Sequence, residues 1–131
     1  MFVDASVIIA IIGGESDQTS LAERLARTST IKVSAIVLYE ATTGLARKRS
    51  CSIEQAEKLV DMFLAETAAE IIAIDATTGR EAVSAFRRYG KGRHKAALNM
   101  GDCFAYACAR QHGLPLLYKG NDFPQTDITA A

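Results

Sequence analysis

Four acidic residues sit at places where a folded chain can do chemistry. Asp4 closes the apolar start "MFVDASVIIAII", Glu40 interrupts "IVLYEATTGL", Asp102 opens "GDCFAYACA", and Asp122 follows "LLYKGN". Each has a local explanation. Asp4 can cap the helix that begins at Ala5, and Asp102 lies three residues after another cap candidate, Asn99, where the helix dipole favours negative charge. Glu40 can flank an apolar helix face, and Gly120-Asn121-Asp122 is good turn chemistry. If the four meet instead, they repel one another and raise their own pKa values until a cation binds between them. Ligands that are all oxygen select a hard ion, Mg²⁺ or Mn²⁺, and such ions commonly serve phosphoryl chemistry. Neither His94 nor His112 has a spacing that suggests a zinc site.

Whether the acids meet depends on the elements that carry them. Short β-rich runs, "FVD", "IKVSA", "EIIAI" and "LPLLY", alternate with longer segments of helical spacing. The clearest helix is "SIEQAEKLVDMFLAE", where Ser52 and Gln55 have capping-box spacing and Leu59, Val60, Phe63 and Leu64 share a face. The alternation predicts an α/β chain with a mainly parallel central sheet and helices on both faces. In such sheets the working residues gather beyond the carboxyl ends of the strands.

The composition bounds the answer. With 131 residues, 49% of them apolar, the chain has the size and make-up of a single globular domain spanning 1–131. Fifteen basic residues balance fifteen acidic ones, so overall charge favours neither nucleic acid nor membrane as a partner. Three cysteines, Cys51, Cys103 and Cys108, form neither a disulfide framework nor a metal knuckle. The apolar run after Asp4 is too short to span a bilayer, which predicts a soluble, cytoplasmic protein without membrane contact.

Charge is nevertheless unevenly placed. "RRYGKGRHKAA" holds Arg87, Arg88, Lys91, Arg93 and Lys95 without an acid. It reads either as a solvated loop or as a cationic rim that holds a phosphate backbone near the acids. "ARKRS", with Arg47, Lys48 and Arg49, is a second, weaker candidate, because cations at a helix C-terminus are already favoured there.

The segments "VDASVIIAII", "SAIVLYEATTGL", "LNMGDCFAYACA" and "LLYKGNDFPQTDI" resemble, in order and over the whole length, the PIN-domain ribonucleases, and among them the VapC-type toxins of prokaryotic toxin–antitoxin pairs. The resemblance implies a PIN-like three-layer sandwich and a metal-dependent endoribonuclease. It implies Asp4, Glu40, Asp102 and Asp122 as catalytic and metal-binding carboxylates, supported by Ser6 and Asn121. It further implies an RNA substrate, a cognate antitoxin and a homodimer. At the fourth acid the chain departs from a common family pattern by reading Lys119, Gly120, Asn121, Asp122, which leaves open whether Asp122 meets the ion directly or through water. Asp127 reads as an exposed end-of-strand residue. Two other classes compete: a phosphohydrolase or receiver domain, which would want a second acid at the position of Ser6, and a non-catalytic RNA- or partner-binding module of the same fold.

Overall fold

The computed structural model describes residues 1–131. The chain runs β1 (Phe2–Val3), α1 (Ala5–Gly13), α2 (Gln18–Ala26), β2 (Lys32–Ser34), α3 (Ala35–Arg49), α4 (Ile53–Thr67), β3 (Glu70–Ile72), α5 (Ala76–Tyr89), α6 (Met100–Gln111) and β4 (Leu116–Leu117), then a 3₁₀ turn at Phe123–Gln125. Most helices begin where the sequence supplies an oxygen for their first free N–H groups. Ser34, Ser52, Asp75 and Asn99 accept from Val37, Gln55, Thr78 and Asp102, and the last three complete reciprocal capping boxes. Asp17 is the exception: it makes no cap bond and accepts from the Lys119 ammonium instead.

All strand pairs are parallel, in the order β3-β2-β1-β4. Strands buried on both faces lose their alternation and become continuous apolar pairs, and Phe2, Val3, Leu116 and Leu117 are fully buried. The strands are shorter than their apolar runs. "EIIAI" pairs only over Glu70–Ile72 and "LPLLY" only over Leu116–Leu117, because the flanking residues turn away toward helices. Right-handed crossovers place α1 to α4 on one face, since β1, β2 and β3 step in one direction, and α5 and α6 on the other, since the chain then steps back to β4. The contacts agree: α1 packs on α2, α3 and α4, while α5 packs on α6. The result is three layers, as the alternation and the resemblance implied.

The reversal of direction opens a crevice between β1 and β4 at their carboxyl ends, the switch point at which open parallel sheets bind ligands. The rim is tied across that crevice. The Asp4 N–H donates to the Leu117 carbonyl at 2.9 Å. The Lys119 N–H donates to the Ser6 hydroxyl at 3.0 Å. No helix is long and apolar enough to cross a membrane. The three cysteines are free, with Cys103 and Cys108 buried, and burial pushes both thiols up to about 11.

Asp127 does not end a strand. It is exposed, but it belongs to the tail beyond the 3₁₀ turn, where it anchors that tail to α5 and α6. Its carboxylate accepts from the Tyr106 hydroxyl at 2.5 Å and pairs with Arg88 at 2.8 Å and Arg110 at 3.5 Å. The Tyr106 hydroxyl, followed by Arg88, holds Asp127 down at about 2.

Candidate functional site

A cleft of about 590 Å³ lies at the switch point. It is lined by Asp4, Glu40 and Asp102, with Asn99 and Ser6 beside them. Three separated segments therefore bring three of the four acids to one wall. Asp4 leaves the end of β1, Glu40 projects from the second turn of α3, and Asp102 stands in the first turn of α6.

The local roles persist alongside this arrangement. Asp4 caps α1: its Oδ2 accepts from the Ser6 N–H at 2.9 Å and from the Ser6 hydroxyl at 2.5 Å. Asp102 completes the α6 capping box, its Oδ2 accepting from the Asn99 N–H at 2.9 Å. Each carboxylate has two oxygens and about four lone-pair sites, so a cap bond leaves room for another partner. Capping and site chemistry are compatible, and either one alone is an incomplete reading.

Glu40 has no cap to make. Its carboxylate lies directly over Gly101 in the first turn of α6, so close that a Cβ there would collide with both carboxylate oxygens. Gly101 is thus a cradle for the Glu40 head group. Nothing in the sequence pattern singles Gly101 out, and only the flanking Asp102 marks its neighbourhood. Gly44, at the next turn of α3, similarly leaves room for the end of the Ile9 side chain of α1, which a Cβ would displace.

The electrostatics follow from burial and like charge. Asp4 is only 6% exposed, and burial raises its carboxyl above the usual range although Ser6 opposes the shift. Burial first, then the charges of Asp4 and Asp102, pushes Glu40 up to about 7. Burial also pushes Asp102 up to about 6, with Asp4 and Asp122 adding to the rise against the Asn99 bond. No three of the acids close into a finished ligand cage, as like charges without a counter-charge favour. A wall of hard oxygens without an ion-pair partner fits a hard divalent ion and does not fit zinc or copper.

Asp122 is exposed at the head of the 3₁₀ turn and does not line the cleft, although its charge reaches Asp102. Asn121 is exposed as well and makes no side-chain hydrogen bond within the chain. Ser6 is at the centre, donating to Asp4 and accepting from Lys119.

The basic run does not enter the cleft wall. Arg88 is taken up by Asp127, Tyr106 and Tyr89. Arg93 lies over the Phe86 ring at 5.5 Å. Arg87, Lys91 and Lys95 are exposed on α5 and the segment leading to Asn99. The cation in the wall is Arg47, from the weaker of the two basic stretches. Helical spacing on α3 carried that signal, since Arg47 lies seven residues beyond Glu40, two turns along the same face.

The pKa shifts have a measurable consequence. Carboxyls raised in the folded state bind more protons there than in the unfolded chain between their unfolded values, near 4, and about 7, so stability falls as pH rises through that window. The metal-free protein should melt higher at pH 5 than at pH 8, and Glu40→Gln should remove much of the difference. Asp127, whose shift has the opposite sign, costs stability only below about pH 4 and does not mask the effect. A melting temperature that is flat or rises from pH 5 to pH 8 would contradict the clustering.

A parallel α/β sandwich with carboxylates gathered at its switch point defines a class of acid-lined α/β domains suited to a hard ion. Within it the chain belongs to the PIN domain family, whose model matches residues 1–128. Among curated relatives, a VapC ribonuclease of Rhizobium meliloti is 45% identical, covering 97% of this chain and 98% of the relative. Ribonuclease VapC42 of Mycobacterium tuberculosis is 40% identical, covering all of this chain and 98% of the relative. The fold is shared with Mycobacterium tuberculosis VapC20, a sarcin-ricin loop cleaving toxin, at TM-score 0.78 and 19% identity, over 99% of this chain and 97% of that one. It is shared too with a toxin–antitoxin complex from Klebsiella pneumoniae, at TM-score 0.73 and 22% identity, over 99% and 95%.

Proposed function

We infer that the chain is an endoribonuclease toxin of a type II toxin–antitoxin pair that hydrolyses RNA phosphodiester bonds. The observation that carries this is the convergence of Asp4, Glu40 and Asp102 on one cleft in a domain whose full-length relatives are VapC ribonucleases. These three carboxylates would hold Mg²⁺ or Mn²⁺, with Asp122 reaching the site from its outer side, directly or through water. What such an ion supplies when bound is polarisation of the phosphate and activation of a water. The residues supply the frame: Ser6 fixes Asp4, Asn99 fixes Asp102, Gly101 makes room for Glu40, and Asn121 borders Asp122.

The rivals lose support at particular residues. A phosphohydrolase would want an acid at position 6, where Ser6 instead bonds Asp4. A non-catalytic module has no use for three partly buried carboxylates held at a cost in stability. Arg87, Lys91, Arg93 and Lys95 are proposed as outlying phosphate contacts, and Arg88 as a member of the scaffold that presents them. A cytoplasmic setting, an antitoxin that covers the site and a second copy of the chain complete the reading. The exposed apolar side chains Val83, Phe86 and Met100 on α5 and α6 offer surface for a protein partner.

Metal removal tests the reading directly. Cleavage of RNA by protein stripped with EDTA should fall to background and return on adding Mn²⁺ or Mg²⁺, but not Ca²⁺ to the same extent, since calcium tolerates looser coordination. Undiminished cleavage in excess chelator, with no metal detected in the protein, would end the metal-dependent reading.

A further inference from the structure

We propose that α3 supplies the substrate track of the cleft, with Tyr39 stacking on an RNA base at one end and Arg47 pairing with a phosphate at the other. The inference rests on the ribonuclease reading above and deepens it.

Five of the eleven residues that line the cleft come from one face of α3, and Tyr39, Thr43 and Arg47 recur along it at intervals of four. Tyr39 and Arg47 are eight residues apart, or about 12 Å along the helix axis. That exceeds the 3.4 Å rise of stacked bases, so the two address different nucleotides. Glu40, Asp4 and Asp102 line the same cleft.

Both side chains lack partners within the protein. Tyr39 is 70% exposed, more than any other large hydrophobic side chain in the chain. Tyr89, Tyr106 and Tyr118 each pack against another ring, whereas Tyr39 has neither a ring partner nor a hydrogen bond to its hydroxyl. Its neighbour Thr43 donates its own hydroxyl back to the Tyr39 carbonyl at 2.9 Å and not to the Tyr39 side chain. Arg47 contrasts with the two cations that follow it. Lys48 pairs with Glu15 at 2.7 Å and Arg49 donates to the Ile12 carbonyl at 3.1 Å, while Arg47 makes no ion pair and no hydrogen bond.

The exposed Tyr39 ring has no packing partner, and the α3 dipole accounts for a cation at Arg47 but not for its place on the wall of an anionic cleft. Ring and cation match the needs of a single strand, because carboxylates repel phosphate and the strand must be held by stacking and by a cation nearby. Arg88 cannot serve in that way without giving up Asp127 and loosening the tail.

The test measures steady-state cleavage of a random-sequence pool of short single-stranded RNA by the full chain with Mn²⁺, and RNA affinity across a salt series. Tyr39→Ala should raise KM about tenfold to a hundredfold with kcat little changed, and Tyr39→Phe should restore the wild-type KM, because the ring and not the hydroxyl does the stacking. Arg47→Gln should raise KM and lower the log–log salt slope of binding by about 0.7. Both residues are exposed, so melting temperatures should stay at the wild-type value. A KM within twofold of wild type in Tyr39→Ala and Arg47→Gln would overturn the proposal, as would a loss confined to kcat. If the wild-type chain itself neither bound nor cut RNA, the ribonuclease reading would fall and this inference with it. Active wild type beside equally active variants removes the inference alone.

Discussion

Asp4→Asn and Asp102→Asn are each expected to reduce RNA cleavage more than about a thousandfold while the protein stays folded, because a carboxylate that steadies a hard ion is worth several kcal/mol in the transition state. The amide keeps what the fold uses. Asn is as good a cap as Asp, so the bonds from the Ser6 N–H to residue 4 and from the Asn99 N–H to residue 102 survive. It also removes one negative charge from a wall where burial raises Asp4, and burial with like charge raises Glu40 and Asp102. The metal-free variants should therefore melt at the wild-type temperature or above it near pH 8. Cleavage and melting must be measured on the same preparations. Inactivity accompanied by unfolding would reduce both residues to helix caps.

Gly101→Ala should separate the site from the fold more sharply. The added methyl meets the Glu40 carboxylate, the far end of a flexible chain that can swing aside. Backbone and core need not move. Replacing Gly by Ala inside a helix contributes roughly 0.5–1 kcal/mol, which offsets any small cost of displacing Glu40. Stability should hold or rise. Activity should drop about a hundredfold, the scale expected when a working group is misplaced by about 1 Å. The pH dependence of melting should shrink too, since Glu40 would leave the neighbourhood of Asp4 and Asp102. Wild-type cleavage by Gly101→Ala would show that the position of Glu40 over α6 is irrelevant to the chemistry.

Much of this protein is legible in its sequence because the signals are local. Alternating β-rich runs and helical periodicity depend on neighbours within a few residues, and so do the caps at Ser52, Asp75 and Asn99. The parallel α/β architecture follows from that alternation alone. The acids at positions 4, 40 and 102 could be named from their places at a strand exit, beside a helix face and at a helix start. What local signals could not decide was convergence. Residues 4, 40 and 102 meet because the strand order β3-β2-β1-β4 reverses beside β1, and no stretch of a few residues contains that reversal. The fate of each charge is tertiary for the same reason. Arg88 and Arg47 look alike in sequence, yet Arg88 faces Asp127 across the tail and Arg47 faces the cleft. Gly101 reads as an indifferent helix residue until the Glu40 carboxylate arrives from sixty-one positions earlier in the chain and occupies the space its missing side chain leaves. Backbone periodicity is set by short-range sterics and hydrogen bonding, whereas a site of like charges exists only where the packed core holds distant segments against their own repulsion.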